Sequence, residues 1–100
     1  MQLDIIDHIM IRWQHPEEFE EHAKLAKTLP DNTTNETLLT LYGLYKQATV
    51  GKVNTSRPGM LSMKERAKWD AWKAVEGKSC EEAMNDYITK VKQLKEQASA

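Results

Sequence analysis

The chain has 100 residues, of which 40% are hydrophobic and 29% are charged, and this length and balance are typical of one soluble globular domain. Its formal net charge of −1 and its pI near 6.3 exclude the broadly basic surface of a general nucleic-acid or membrane-surface binder. Cys80 is the only cysteine, which excludes an internal disulfide and suits a reducing compartment. Because no stretch reaches the roughly 18 apolar residues of a membrane span, and Asp4 and Asp7 are atypical of a secretion signal, we expect a cytoplasmic protein.

Residues 1–15 are predicted to be an N-terminal extension containing a short extra helix. One side of its helical wheel gathers Leu3, Ile6, Ile9, Met10 and Trp13. The residue before a proline avoids helical geometry, so this helix should end before Pro16. A free helix this short is marginal in water. Its apolar face therefore either rests on a surface or the segment stays disordered. The surface is the domain's own flank, a second copy of the chain, a partner protein, or a membrane, which Asp4 and Asp7 disfavour.

Start and stop signals predict two helices in residues 16–51. Pro16 suits the first turn of a helix that ends near Leu29. Asn35 is predicted to cap a second helix that runs to about Val50, where Gly51 can adopt the left-handed conformation that ends helices.

Two more helices follow a loop over residues 52–61, whose length is typical of functional loops. Ser-x-x-Glu patterns that begin at Ser62 and Ser79 are capping boxes, which predict a third helix that stops before Gly77 and a fourth that frays near Gln97. No segment alternates as strands do. The sequence therefore predicts an all-α fold, a four-helix bundle over residues 16–97 with a tail at 98–100.

Three of these helices carry an apolar face that can form a core. The faces are Phe19, His22, Ala23, Ala26 and Leu29 in the first helix, Thr37, Leu41, Leu44 and Ala48 in the second, and Ala83, Met84, Tyr87, Ile88, Val91 and Leu94 in the fourth. Trp69 and Trp72 in the third helix are also interpreted as core residues.

The second helix has a second set of apolar, aromatic and basic residues on another side of its helical wheel, and these residues are not needed to form the core. This arc contains Leu38, Leu39, Tyr42, Tyr45 and Lys46. The tyrosines could be core residues with their hydroxyls near water, but a lysine on the same arc avoids burial unless it has an anionic partner. A phenol ring stacks on a base and an ammonium group binds phosphate, so this arc favours a nucleotide site. Lys64 and Lys68, four residues apart on the third helix, either join this site or form a solvated face.

Four strings carry a resemblance to a known family: YGLYKQATVG at 42–51, NTSRPGML at 54–61, AKWDAW at 67–72 and DYITKVKQL at 86–94. They are similar to the acyl-CoA-binding protein family, from Phe19 through Leu94. The resemblance implies an up-down-down-up four-helix bundle that binds long-chain acyl-CoA esters and catalyses no reaction.

The resemblance also implies roles for individual residues. Lys46, Lys68 and Tyr42 match positions that hold the 3′-phosphate of CoA, and Tyr45 matches the position beside the adenine. The full set of matched acyl-CoA-binding positions is Lys27, Tyr42, Gly43, Leu44, Tyr45, Lys46, Lys64, Lys68 and Tyr87, and the matched groove positions are Phe19, Ala23, Leu38 and Leu39. Many members have histidine in place of Leu44, which here lies on the core stripe.

No catalytic or metal-ligating set is predicted. Cys80 lies in the first turn of a helix, but no histidine that could activate it as a nucleophile is near it in sequence. His8, His15 and His22 are seven residues apart, but Pro16 interrupts their helix. We therefore expect a monomeric, non-catalytic intracellular carrier of acyl-CoA that needs no cofactor, binds no nucleic acid, does not insert stably in membranes, and self-associates, if at all, through residues 1–15. A thioesterase-like enzyme and an interaction bundle without a ligand are the alternatives.

Overall fold

A computed structural model describes residues 17–99, and within this range the chain forms four helices and no strand. They are α1 over residues 17–26, α2 (Asn35–Thr49), α3 (Met63–Ala74) and α4 (Cys80–Ser99). The all-α prediction is confirmed. The helix predicted within residues 1–15 lies outside the described residues.

The ends of α1 and α2 differ slightly from those predicted. α1 ends at residue 26 and not near Leu29, because the backbone N–H groups of residues 27–29 bond to carbonyls three residues back, in a tighter turn. The cap of α2 is Thr34 and not Asn35, because Thr34 has extended backbone geometry and its hydroxyl accepts a hydrogen bond from the N–H of Thr37 at 3.2 Å. Gly51 follows α2 with φ +95, as predicted.

The two predicted capping boxes have different outcomes. At α4 the box forms in both directions: the N–H of Glu82 donates to the Ser79 hydroxyl at 3.0 Å, and the N–H of Ser79 donates to the Glu82 carboxylate at 3.5 Å. At α3 Ser62 is the capping residue, but its side chain makes no capping hydrogen bond. α4 continues to Ser99, two residues beyond the predicted end.

Contacts between the helices give their directions. Lys95 of α4 donates to the Thr28 hydroxyl just after α1, and Phe19 contacts Tyr87, so α1 and α4 run parallel. The Gln47 amide, near the end of α2, donates to the carbonyls of Glu76 and Lys78, just before α4, so α2 and α4 are antiparallel.

α2 and α3 run parallel, because Lys68 lies over Tyr42 and Lys46 lies over Trp72. The order is therefore up-down-down-up, as the resemblance implied.

The core lies where the apolar faces of α1, α2 and α4 meet. It consists of Phe19, Leu41, Leu44, Ala48, Ala83, Tyr87, Ile88 and Val91, all drawn from the predicted faces. His22 is also buried, and its Nδ1 lies 2.7 Å from the carbonyl of Glu18. Gln47, which was not predicted as a core residue, is only 3% exposed.

α3 packs on α2 through a small residue. A Cβ atom at Gly43 would overlap the backbone carbonyl of Ala71, so only glycine permits this close approach. The only residue of α3 that is buried is Trp72. Trp69, which we expected in the core, is half-buried and donates to the carbonyl of Thr55 at 3.0 Å.

Side chains of α3 hold the loop between α2 and α3. Besides Trp69, Trp72 donates to the carbonyl of Gly51 at 2.7 Å. Arg57 makes two hydrogen bonds to Asp70, at 2.9 and 2.7 Å, and these lower the pKa of the Asp70 carboxyl. The loop therefore has a fixed path. None of the helices in the described part of the chain is both long and apolar enough to cross a membrane.

Candidate ligand-binding site

Two open grooves lie on either side of α2, and each has a volume of about 380 Å³. The α1–α2 groove is lined by Glu20, Ala23, Lys24, Ala26, Lys27, Leu38, Leu41, Tyr45 and Tyr87. The α2–α3 groove is lined by Asn35, Leu38, Leu39, Tyr42, Lys64, Ala67 and Lys68. Leu38 lines both grooves and is 45% exposed, so it forms the ridge between them.

Two residues of an aromatic cluster, Tyr45 and Tyr87, line the α1–α2 groove, and Phe19 packs behind them. The rings of Phe19 and Tyr45 are stacked with centroids 5.4 Å apart, and Tyr87 lies 5.0 Å from Phe19 and 6.1 Å from Tyr45. Phe19 and Tyr87 are buried, and burial raises the pKa of the Tyr87 hydroxyl. Tyr45 is 40% exposed, so one aromatic surface remains open to a planar ligand group.

The α2–α3 groove combines an apolar lining with two lysines. Leu38, Leu39 and Ala67 supply aliphatic surface, and Lys64 and Lys68 line the groove from α3. The stems of such lysines lie along apolar surface while their ammonium groups reach outward. This arrangement suits an aliphatic chain that is attached to an anion.

Two lysines lie over aromatic rings of the opposite helix. Nζ of Lys68 on α3 is 5.6 Å from the centroid of Tyr42 on α2, and Nζ of Lys46 on α2 is 5.0 Å from the ring of Trp72 on α3. The close approach at Gly43 brings the two helices within this range. Because both lysines are partly exposed, each cation–π contact contributes only about 0.5–1 kcal/mol, although the ring of Trp72 itself is buried. Lys68 also lies 3.9 Å from the exposed carboxylate of Glu65, a weak contact. Both ammonium groups could therefore turn toward a phosphate at little cost.

Most of the predicted site residues come together around α2. Ala23, Lys27, Leu38, Tyr45 and Tyr87 line the α1–α2 groove. Leu38, Leu39, Tyr42, Lys64 and Lys68 line the α2–α3 groove. Lys46 lies at the same helix crossing, against Trp72.

Three predicted site residues are buried, line neither groove and pack the interior. Phe19, expected in the acyl groove, is 3% exposed and lies in the core against Tyr45 and Tyr87. Leu44 belongs to the same core, and Gly43 forms the contact between α2 and α3. In the unliganded protein their role is to hold the helices that carry the exposed site residues.

The sequence analysis missed several residues that line the grooves. They are Glu20, Lys24, Ala26 and Leu41 in the α1–α2 groove and Asn35 and Ala67 in the α2–α3 groove. Helical spacing was the available signal for two of them. Lys24 precedes Lys27 by three residues, and Ala67 follows Lys64 by three, so each pair shares a helix face.

Within residues 17–99, no group of three or more His, Cys, Asp or Glu side chains could hold a metal ion. Cys80 is the first residue of α4, in the first turn as predicted, and it is exposed.

Comparisons with known proteins identify the family to which the chain is similar. A family model described as Acyl CoA binding protein matches residues 16–91. An acyl-CoA-binding protein of Ricinus communis is 79% identical over 84 residues, which cover 84% of this chain and 93% of that protein. An acyl-CoA-binding domain-containing protein of Arabidopsis thaliana is 75% identical over 84 residues, which cover 84% of this chain and 91% of that protein.

Solved structures show the same fold. The crystal structure of Oryza sativa Acyl-CoA-Binding Protein 2 superposes with a TM-score of 0.87 at 70% identity, covering 89% of this chain and 97% of that one. The crystal structure of the corresponding protein from Moniliophthora perniciosa gives a TM-score of 0.78 at 38% identity, covering 85% and 84%.

Proposed function

This chain belongs to the acyl-CoA-binding protein family, and we propose that it is a non-catalytic carrier that binds long-chain fatty acyl-CoA esters, buffers their pool and transports them. The observation that carries this proposal is the apolar α2–α3 groove with Lys64 and Lys68 in its lining. An acyl-CoA is a polyanionic nucleotide joined to an aliphatic chain, and few other ligands need both surfaces within one small site.

The nucleotide end is assigned to residues of α2 and α3. Lys46 and Lys68, with the hydroxyl of Tyr42, hold the 3′-phosphate, because their ammonium groups lie at one helix crossing. The adenine stacks on the exposed part of Tyr45, which Phe19 and Tyr87 support from behind. In this assignment Lys27 and Lys64 bind the remaining phosphates or the thioester end of the ligand.

The acyl chain is assigned to the α2–α3 groove, with Leu38 and Leu39 along one side and Ala67 along the other. Burial of each CH₂ group contributes about 0.8 kcal/mol. Affinity should therefore increase with chain length until the groove is full. A monomeric carrier in the cytoplasm, where Cys80 stays reduced, completes the proposal.

Calorimetric titration with palmitoyl-CoA, free CoA and palmitate tests this function. We expect palmitoyl-CoA to bind far more tightly than either fragment, because each fragment loses one class of contact. Equal affinity for palmitate and palmitoyl-CoA would indicate a plain lipid pocket instead. Hydrolysis of palmitoyl-CoA by catalytic amounts of the protein would indicate a thioesterase.

A further inference from the structure

Lys24 brings a second positive charge to the α1–α2 groove, beside that of Lys27. Both side chains line this groove from α1, and because they are three residues apart they lie on the same face of the helix. Lys24 is exposed, and in the part of the chain that the structure describes no salt bridge joins either lysine to a carboxylate. Both ammonium groups are therefore available to an anionic ligand.

A carboxylate also lines the same groove. Glu20 lies one helical turn before Lys24, and the two residues also line a neighbouring cavity of about 350 Å³, together with Glu17 and Glu21. The charge of Glu20 repels an anion in the groove. Because Lys24 follows Glu20 at the i+4 position, its ammonium group is placed to offset this repulsion.

The position of the α1–α2 groove indicates which anion its lysines meet. Tyr45 lines the groove from α2 with part of its ring exposed, so a base stacked on this ring has the two lysines of α1 beside it. The ribose of a CoA ester carries a 3′-phosphate on one side and a 5′-diphosphate on the other. The 3′-phosphate is assigned to Lys46 and Lys68, where α2 crosses α3, which leaves the diphosphate for the side of α1.

We propose that Lys24, together with Lys27, binds the 5′-diphosphate of the CoA ester, and that its charge offsets that of Glu20. This inference rests on the proposed carrier function and adds a specificity-determining residue to its site. A diphosphate has negative charge on both of its phosphate groups, which suits two ammonium groups that share one helix face.

The test removes the charge of Lys24 and varies the phosphates of the ligand. The variant Lys24→Gln keeps a polar side chain without the charge, and Lys24→Arg keeps the charge. The matched control is Lys92→Gln, which changes an exposed lysine of α4 that lines neither groove. Calorimetric titration uses the dodecanoyl thioesters of CoA, of dephospho-CoA, which keeps the diphosphate, and of pantetheine, which has no phosphate.

We expect Lys24→Gln to weaken the binding of the CoA and dephospho-CoA esters about equally, each by about fivefold, because both carry the diphosphate. Its affinity for the pantetheine ester should equal that of the unmodified protein. Lys24→Arg and Lys92→Gln should bind all three esters as the unmodified protein does. Glu20→Gln should bind both nucleotide esters more tightly, because the carboxylate that repels them is gone.

Three results for Lys24→Gln would overturn the proposal: unchanged affinity for both nucleotide esters, a loss confined to the ester that has the 3′-phosphate, or an equal loss for the pantetheine ester. In each of these cases the unmodified protein still binds the CoA ester, so the carrier function stands. Failure of the unmodified protein to bind the CoA ester would overturn both the carrier function and the role of Lys24.

Discussion

Lys46 and Lys68 each lie over an aromatic ring of the other helix. Because this contact is weak, the effect of each lysine on ligand binding can be separated from its effect on folding. We expect Lys46→Ala and Lys68→Ala each to weaken acyl-CoA binding by about 1.5–3 kcal/mol, the range for hydrogen bonds to charged groups. The free energy of unfolding should change little, because the cation–π contact of a partly exposed lysine is weak. Calorimetry with palmitoyl-CoA and denaturant unfolding measure the two effects.

The control ligand is an acyl-CoA that lacks the 3′-phosphate. Both variants should lose much less affinity for this dephospho ester, and Lys92→Ala, an exposed lysine of α4 outside both grooves, should lose none for either ligand. An equal loss for both esters would show that Lys46 and Lys68 contact another part of the ligand.

Tyr87 should make the stability of the ligand-free protein depend on pH. Burial raises its pKa in the folded state, so above about pH 10, the ordinary tyrosine pKa, the unfolded chain loses this proton first. The free energy of unfolding should therefore fall as pH rises through that value, and Tyr87→Phe should reduce the fall. Urea unfolding from neutral to alkaline pH measures it. Identical slopes for the two proteins would contradict this assignment.

The burial of a residue could be predicted where it follows from the residue's position on its own helix, and not where it depends on residues far away in the sequence. The core face of α4 follows from helical spacing alone, so Ala83, Ile88 and Val91 were correctly predicted. Gln47 could not be, because its burial depends on the carbonyls of Glu76 and Lys78, about thirty positions away.

At the scale of helices, the same sequence pattern led to different capping. Ser62 and Ser79 both begin Ser-x-x-Glu, yet only Ser79 caps with its side chain. Ser62 follows a loop that α3 itself holds, and its backbone angles of φ −103 and ψ 62 differ from the extended geometry of a capping residue. Capping at Ser62 was thus decided by tertiary contacts that the pattern does not encode.

This difference predicts the effect of removing each cap. Thr34→Ala and Ser79→Ala should each lower the free energy of unfolding by about 1 kcal/mol, because an N–H in the first turn loses its acceptor. Ser62→Ala serves as the matched control and should change it by less than about 0.5 kcal/mol. Urea unfolding gives all three values. A loss at Ser62 as large as that at Ser79 would mean that the Ser62 hydroxyl does cap α3.

The sequence predicted the contributions of α2 and α3 to the site separately, but not how the helices combine to form it. The arc on α2 and the lysines on α3 were both recognised, but two separate grooves were not. Leu38 divides them because of how α1 and α3 pack on either side of α2. That packing depends on Gly43, because a side chain there would overlap the backbone of Ala71. The sequence alone does not show that Ala71 lies opposite Gly43, so this requirement for glycine could not be predicted.

For the whole molecule, residues 17–99 contain both grooves, and so the first residues should be dispensable for binding. We expect deletion of residues 1–14 to leave acyl-CoA affinity within about threefold, less than 1 kcal/mol, while changing stability or self-association. Calorimetry and analytical ultracentrifugation measure the two. If deletion abolished binding, residues 1–14 would belong to the ligand site.

The parallel pairing of α1 with α4 sets an order of events while the chain is being synthesised. Phe19 is made early, but Tyr87, which covers it, is made almost seventy residues later. Until α4 has left the ribosome, the apolar faces of α1 and α2 lack their third partner, and part of each face remains open to water. The domain can therefore complete its core only after α4 has been synthesised, and a nascent chain that stalls within α3 would expose apolar surface of the kind that chaperones bind.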